Sequence, residues 1–286
     1  MKISPKSLLY ICILFTIVAS GLIYVRMNQE KLLNEIFADR VEQRKVVFNK
    51  IFDLSEKQID TLSQDYTYWD EMVDFVSTKN LSFAEDNLDT SLSTYLVNSV
   101  WVYDLKNELV YSVTNKGEDL VRQEELPLDI AKRTRLFENK RLVHFFLNSD
   151  QGVLDVFGAT IHSSNDSERK TEPKGYFFAA KLLDKGLLTE ISKTTGGLVS
   201  IDKVGFASGK SEEKEVREGK LTFYRPLLGI DAKPVAFLKV ENQFQSVKQF
   251  SSTSDRGFLI FFALAIGFFG SVFLVIYMQD RSVEHA

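Results

Sequence analysis

The run GFLIFFALAIGFFGSVFLVIYM, Gly257 to Met278, holds 22 residues without a charge, and 14 of them are Leu, Ile, Val or Phe. At about 1.5 Å of rise per residue such a helix is about 33 Å long, the thickness of a hydrocarbon core. A helix of that length on a soluble domain keeps a polar face, and this one has none. It therefore reads as a membrane span. A second uncharged block, Leu8 to Val25, follows Lys2 and Lys6. Ala19-Ser20-Gly21 within it has the small-x-small form of a signal-peptidase site. The apolar run continues through Leu22 to Val25, long enough to remain in the bilayer, so an uncleaved anchor is expected and cleavage is the alternative. Cys12, the single cysteine, lies in this block as a lipid-facing or packing residue. One cysteine excludes an intrachain disulfide and any multi-cysteine metal site.

Between the two blocks, residues 27–255 carry 30 Lys and Arg against 37 Asp and Glu, a net charge of about −7. That sign repels phosphate backbones, so nucleic acid is disfavoured as a partner. Lys2, Lys6 and Arg281 flank the spans on one side, while Arg26 and Arg256 sit on the inner margins, so the charge bias is weak. Two spans put both termini on one side, and a long acidic loop translocates regardless of its charge. The expected organisation is a cytoplasmic N-terminus (1–7), a first span (8–25), an extracytoplasmic domain (26–256), a second span (257–278) and a short cytoplasmic tail (279–286). The bilayer of the plasma (inner) membrane is then the first partner. Eight residues after Met278 are too few for a catalytic domain.

The exported stretch opens helically. No Gly or Pro occurs from Leu22 to Lys116. Leu33, Phe37, Val41, Phe48, Ile51, Ile59, Leu62, Tyr66, Trp69, Val73 and Val76 recur mostly at steps of three, four or seven, which predicts one amphipathic helix from Met27 to Val76. A break near Ser55, where the alternation falters, stays open. Ser77 to Asn80 reads as a loop and Phe83 to Val97 as a short helix. The period then changes: Ser99–Tyr103 and Leu109–Val113 are β-branched and aromatic runs, predicted to form a hairpin. Pro127–Phe137 is helical again, and strands are expected at 142–147, 153–161 and 176–181, with Ser163–Lys174 as a surface loop. A helix at 182–195, a strand at 198–203, a charged turn at 210–219, and strands at 221–227 and 234–240 follow. A helix from Glu241 leads into the second span. Consecutive strands after a long helix predict an α+β domain built on an antiparallel sheet.

Asp65-Tyr66-Thr67-Tyr68-Trp69-Asp70-Glu71-Met72-Val73-Asp74-Phe75 resembles the signature of the type-four CHASE domain, an extracytoplasmic sensor family whose helix carries a Trp-Asp pair followed by an aromatic. Asn80, Phe83, Asn87-Leu88, Val97-Asn98 and Val102-Tyr103-Asp104 are similar to the segments that follow it. Lys174 to Lys181 resembles the family's Gly-led strand, and Tyr224-Arg225-Pro226-Leu227 with Pro234-Val235-Ala236 its closing hairpin. The resemblance covers about Glu42 to Val247. It departs at Ala159-Thr160-Ile161-His162, where a small-residue stretch ending in Pro is expected. The resemblance implies a PAS/Cache-like fold and a role in bacterial-type signal transduction. Such domains are usually fused to histidine kinases or cyclic-di-GMP enzymes, which implies an output partner of one of those classes.

Catalytic residues are not expected: His144, His162 and His285 have no metal-ligand spacing, and there is no phosphate-binding Gly-rich loop. No metal or cofactor is expected either. Asp70 and Asp74 fall at i and i+4 on one helix face, with Asp65 and Glu71 nearby, and such like charges repel unless compensated. A bound cation or cationic ligand would compensate them, and so would a solvated or Lys/Arg-paired face. Trp69 lies on the apolar stripe, where packing competes with ligand contact. Tyr103, Tyr111, Tyr176 and Phe178 line the concave side of the sheet if their alternation faces a pocket, and are core otherwise. Ala263, Gly267 and Ser271 form a small-residue ridge on the second span, as Thr16 and Ser20 do on the first, fitted to an intrachain contact or a homodimer seam.

These readings converge on a membrane sensor module that binds an unknown small molecule and passes the signal through its membrane helices to a separate output protein. The rival is a cell-envelope assembly protein that docks another protein without sensing. A truncated form of a longer signalling enzyme is a third reading of the short tail.

Overall fold

The structure is a computed structural model that describes residues 5–117, 119–202 and 211–284, with side chains described from 9 to 278 outside the same gaps. The chain divides into two compact units: Met1–Arg44, Glu213–Thr222 and Asn242–Ala286 form one, and Lys45–Glu212 with Phe223–Glu241 the other.

Helix α1 runs from Pro5 to Asp65. Leu33, Phe37, Val41, Phe48, Phe52, Ile59 and Leu62 are its buried stripe. The alternation falters near Ser55 because the buried position moves from Ile51 to Phe52; the helix itself passes through without a break. It stops at Asp65, so the expected continuous helix to Val76 is corrected. Tyr66 to Trp69 leave the helical path, and α2 restarts at Asp70 and ends at Thr78. Lys79, in the left-handed region with φ 52°, closes α2 through its N–H to the Phe75 carbonyl. α3 (Leu81–Phe83), a π-helical turn (Ala84–Asp89) and α4 (Thr90–Thr94) follow.

The larger unit is built on a six-stranded antiparallel sheet in the order β3-β2-β1-β6-β5-β4. Its strands are β1 (Ser99–Tyr103), β2 (Leu109–Lys116), β3 (Asp119–Arg122), β4 (Leu142–Ser149), β5 (Gly152–Ile161) and β6 (Gly175–Leu182). One face packs Val100, Val102, Val113, Phe177 and Ala179 against Ile59 and Leu62 of α1 and Met72, Phe75, Leu88 and Leu92 of the short helices. The other carries Trp101, Tyr103, Phe145, Leu154, Val156 and Phe178, covered by Leu126 and Phe137 on either side of α5 (Ile130–Arg135). Gly175 is required where β6 crosses β1, because a Cβ there would lie 2.7 Å from the Tyr103 carbonyl oxygen.

α6 (Lys185–Thr195) leads to a four-stranded sheet, β7-β10-β9-β8, made of β7 (Leu198–Asp202), β8 (Glu212–Glu215), β9 (Lys220–Leu228) and β10 (Pro234–Gln243). β3 and β8 are strands where the sequence predicted none, both at sheet edges and both rich in exposed charge. α7 spans Gln245–Glu284. Both α1 and α7 are long and apolar enough to cross a membrane, and their apolar windows are unburied. An antiparallel sheet, a long N-terminal helix and two flanking apolar helices are the α+β layout expected.

Within the smaller unit α1 and α7 pack along each other. Phe15 meets Phe269 edge-on at 5.1 Å, Arg26 lies over the Phe258 ring, Ser254 bonds Gln29 at 2.6 Å, and Phe37 meets Phe244 at 5.8 Å. Arg217, in the β8–β9 turn, pairs with Glu30 at 2.6 Å and Asp255 at 3.6 Å.

Candidate functional site

The Trp-Asp signature sits where α1 gives way to α2. Trp69 is the extended residue before α2, half-buried against Tyr66 and Phe83. The Asp70 carboxylate accepts from the Ser164 hydroxyl and, at 2.9 Å, from the Ser164 N–H, and these two bonds hold it below the usual carboxylate range. Asp74 is exposed, and its carbonyl accepts the Ser77 and Thr78 hydroxyls. Asp70 is thus held by two uncharged donors of the 162–174 loop.

That loop grips the break at several points. Tyr68 and His162 form a parallel bridge, and the His162 N–H donates to the Thr67 carbonyl at 2.9 Å. Arg169 donates to the Gln64, Thr67 and Thr160 carbonyls and to Thr67 Oγ1. His162 is fully buried, with Nδ1 3.0 Å from Asp166 and Nε2 2.9 Å from Thr160 Oγ1. Burial, followed by the charge of Arg169, lowers its pKa, which fits a neutral ring donating from Nδ1 and accepting at Nε2.

The four sheet aromatics do not share one face. Tyr103, Tyr176 and Phe178 lie on the α5 side. Tyr111 lies on the helix side, because a bulge between Val102 and Tyr103 pairs Tyr103 with Leu109 and Val102 with Tyr111. Its hydroxyl donates to Asp89 at 2.7 Å and accepts from Arg122; burial and the bond to Asp89 push its pKa up to about 12. Tyr103 donates to Glu125 at 2.8 Å and accepts from the Leu126 N–H, under the Arg133 guanidinium 3.7 Å from its ring. Arg133, only 1% exposed, also bonds Asn107 Oδ1 and the Asn107 carbonyl. Phe178 is fully buried beside Phe137, and Tyr176 stacks on Phe137 at 5.1 Å. This end of the face is filled.

The same face opens at its other end into a cavity of about 640 Å³. Trp101 and Leu154 form its apolar part, and Ser99, Thr114, Asn148 and Asp150 are among its polar lining; Lys116 and Glu124 pair across it at 2.5 Å. The sequence reading missed these residues. The available signal was the inward-facing polar positions Ser99, Ser112 and Thr114 in otherwise apolar strands, all buried here.

A third constellation joins residues remote in sequence. Glu56 of α1, His144 of β4 and Asp155 of β5 place ligand atoms within 4.8 Å of one another. His144 Nε2 is 2.7 Å from Asp155 Oδ1 and 4.0 Å from Glu56 Oε1, with the ring stacked on Phe157. Burial, then the charge of Asp155, pushes Glu56 up to about 7 against the pull of Arg225. Burial alone would lower the His144 imidazole, but the hydrogen bond and charge of Asp155 outweigh it and hold it above its ordinary value.

The CHASE4 domain model matches residues 51–201, just over half of the chain. The chain belongs to the CHASE4 family. The match contains the Trp69-Asp70 signature, the whole six-stranded sheet, the cavity beside Trp101 and the Glu56–His144–Asp155 cluster. The CHASE4 chain is also similar to two solved sensor domains. The periplasmic domain of Vibrio cholerae LuxQ is 7% identical with a TM-score of 0.44, over 71% of this chain and 99% of that one. The sensory domain of the Campylobacter jejuni chemoreceptor Tlp3 (CcmL), solved with isoleucine bound, is 8% identical with a TM-score of 0.44, over 77% and 97%. No curated protein matches the chain's sequence.

Proposed function

We propose that this CHASE4 chain is a two-pass inner-membrane sensor whose central domain faces the extracytoplasmic side and binds a small polar molecule in the cavity beside Trp101. The cavity carries this reading. At about 640 Å³ it falls within the range of small-molecule sites, and it combines an indole floor with a Lys, three carboxylates and side-chain hydroxyls and amides. Membership of an extracytoplasmic sensor family and the two apolar helices flanking the domain support the placement. Residues 1–7 and 279–286 are then cytoplasmic, and the spans are 8–25 and 257–278. The output is a separate protein of the histidine-kinase or cyclic-di-GMP class, read through α1 and α7.

Thermal unfolding of the full chain in nanodiscs, against a panel of amino acids and small carboxylic acids, tests the binding. A true ligand at one hundred times its Kd adds about 2.7 kcal/mol, a saturable rise in Tm. The rise is lost in Lys116→Ala. If no panel member gives a saturable shift while the chain holds a stable envelope complex, the docking function replaces this one.

A further inference from the structure

The Glu56–His144–Asp155 cluster lies on the α1 face of the six-stranded sheet, opposite the Trp101 cavity. His144 and Asp155 alternate with Phe145, Leu154 and Val156, which face the cavity side. The cluster shares no residue with that cavity.

Three features set the cluster apart from an ordinary ion pair. First, its geometry fits a metal. Ligands of a tetrahedral N/O centre, at bond lengths of about 2.0 to 2.1 Å, stand about 3.3 Å from each other. The Nε2 to Oδ1 distance of 2.7 Å and the Nε2 to Oε1 distance of 4.0 Å bracket that value, and the three ligand atoms all lie within 4.8 Å of one another, so side-chain shifts of about 1 to 1.5 Å complete a three-ligand set.

Second, Arg225 and Lys181 do not neutralise both carboxylates closely. Arg225 meets Glu56 at 3.4 Å while it is shared with Asp53 at 3.0 Å and lies over the Phe52 ring. The Lys181 amino group bonds Ser55 Oγ and Gln58 Oε1. Asp155 is 2% exposed and meets the His144 imidazole at 2.7 Å, a pairing that a metal on Nε2 would replace.

Third, a cavity of about 130 Å³ touches His144 and is lined by Asp60, Ser63, Phe157 and Gly158. It has room for a few waters at about 30 Å³ each. Ser63 is 1% exposed, and its Oγ has no hydrogen-bond partner. A water in this cavity, beside His144, supplies one. Glu56, Asp60 and Ser63 recur at i, i+4 and i+7, a polar stripe beside the apolar one on α1.

We propose that Glu56, His144 and Asp155 bind one divalent transition-metal ion of the zinc type, with water as the fourth ligand, fastening α1 to the β4–β5 hairpin. An imidazole with two carboxylates selects zinc-type ions over Mg²⁺ or Ca²⁺, which take oxygen ligands.

The test uses the full-length chain in detergent, stripped with EDTA, given ZnCl₂ and dialysed, with zinc counted by mass spectrometry. Wild type is expected to retain about one zinc per chain, His285→Asn to retain the same, and His144→Gln and Glu56→Gln to fall to background. Absence of retained zinc in wild type, or equal retention in His144→Gln, overturns the proposal. Should those variants not fold, X-ray absorption on the zinc-loaded wild type decides: one imidazole in an N/O shell near 2.0 Å supports the site, and a shell without imidazole overturns it.

Discussion

Arg133 is a single residue on which one end of the domain is assembled. Its guanidinium spans the Tyr103 ring, the Asn107 side chain and carbonyl, and Glu125. Met keeps the apolar stem but leaves the buried Asn107 acceptors unpaired. Arg133→Met should therefore cost about 2 to 4 kcal/mol in urea unfolding; a loss under about 0.5 kcal/mol would show the bonds to be incidental. His162 gives a pH-dependent counterpart. Its folded pKa lies below the unfolded value of about 6.5, so below that pH the unfolded chain takes up a proton that the native one refuses, and stability falls as pH drops. Wild type should lose more stability between pH 7.5 and 5 than His162→Asn does; parallel curves would contradict the assignment. The sequence marked His162 only as a departure from the family pattern. Its partners Thr160, Asp166 and Arg169 become visible only once the loop is folded. Tyr111 is the opposite case, since its alternation was legible but the bulge at Val102/Tyr103 moved it to the other face.

At the level of elements, the break between α1 and α2 shows where sequence reasoning ended. No Gly or Pro marks residues 66–69, and the apolar stripe continues through them. The interruption comes from Arg169 and Ser164, about a hundred residues downstream, which take the backbone carbonyls and the Asp70 carboxylate. Long-range capture of this kind leaves no periodic trace. Arg169→Ala should raise hydrogen exchange across 66–78 by about tenfold or more, the equivalent of one charge-assisted bond, while β5 and β6 stay protected. Unchanged exchange there would show that the break is set locally. The central strands, by contrast, were read nearly to their ends because their β-branched and aromatic runs are buried. The edge strands β3 and β8 were missed because their side chains are charged and exposed, which hides a strand whose pairing is made by backbone alone.

Taken as a whole, the chain hangs one CHASE4 domain on two apolar helices, and these were the features most legible in the sequence, since long uncharged runs and helical stripes need no partner to be recognised. On α7 the partly shielded positions Ala265, Phe269, Val272 and Ile276 recur at steps of three and four, the seam expected of paired helices. Ala263, Gly267 and Ser271 are exposed, and a methyl group at Gly267 would meet no other atom within 4 Å. Ala263→Leu with Gly267→Leu should therefore leave the Tm of the chain unchanged while weakening its self-association in detergent by tenfold or so if the ridge is the homodimer seam; an unaltered oligomeric state removes the ridge from that role. The central claim, an exported sensor domain held by two spans, is tested most directly by impermeant maleimide labelling of intact cells after Cys12→Ser. Lys106→Cys, in the exposed turn after β1, should label without permeabilisation, and Val283→Cys only after it. Labelling of Val283→Cys in intact cells, or protection of Lys106→Cys, would contradict the account.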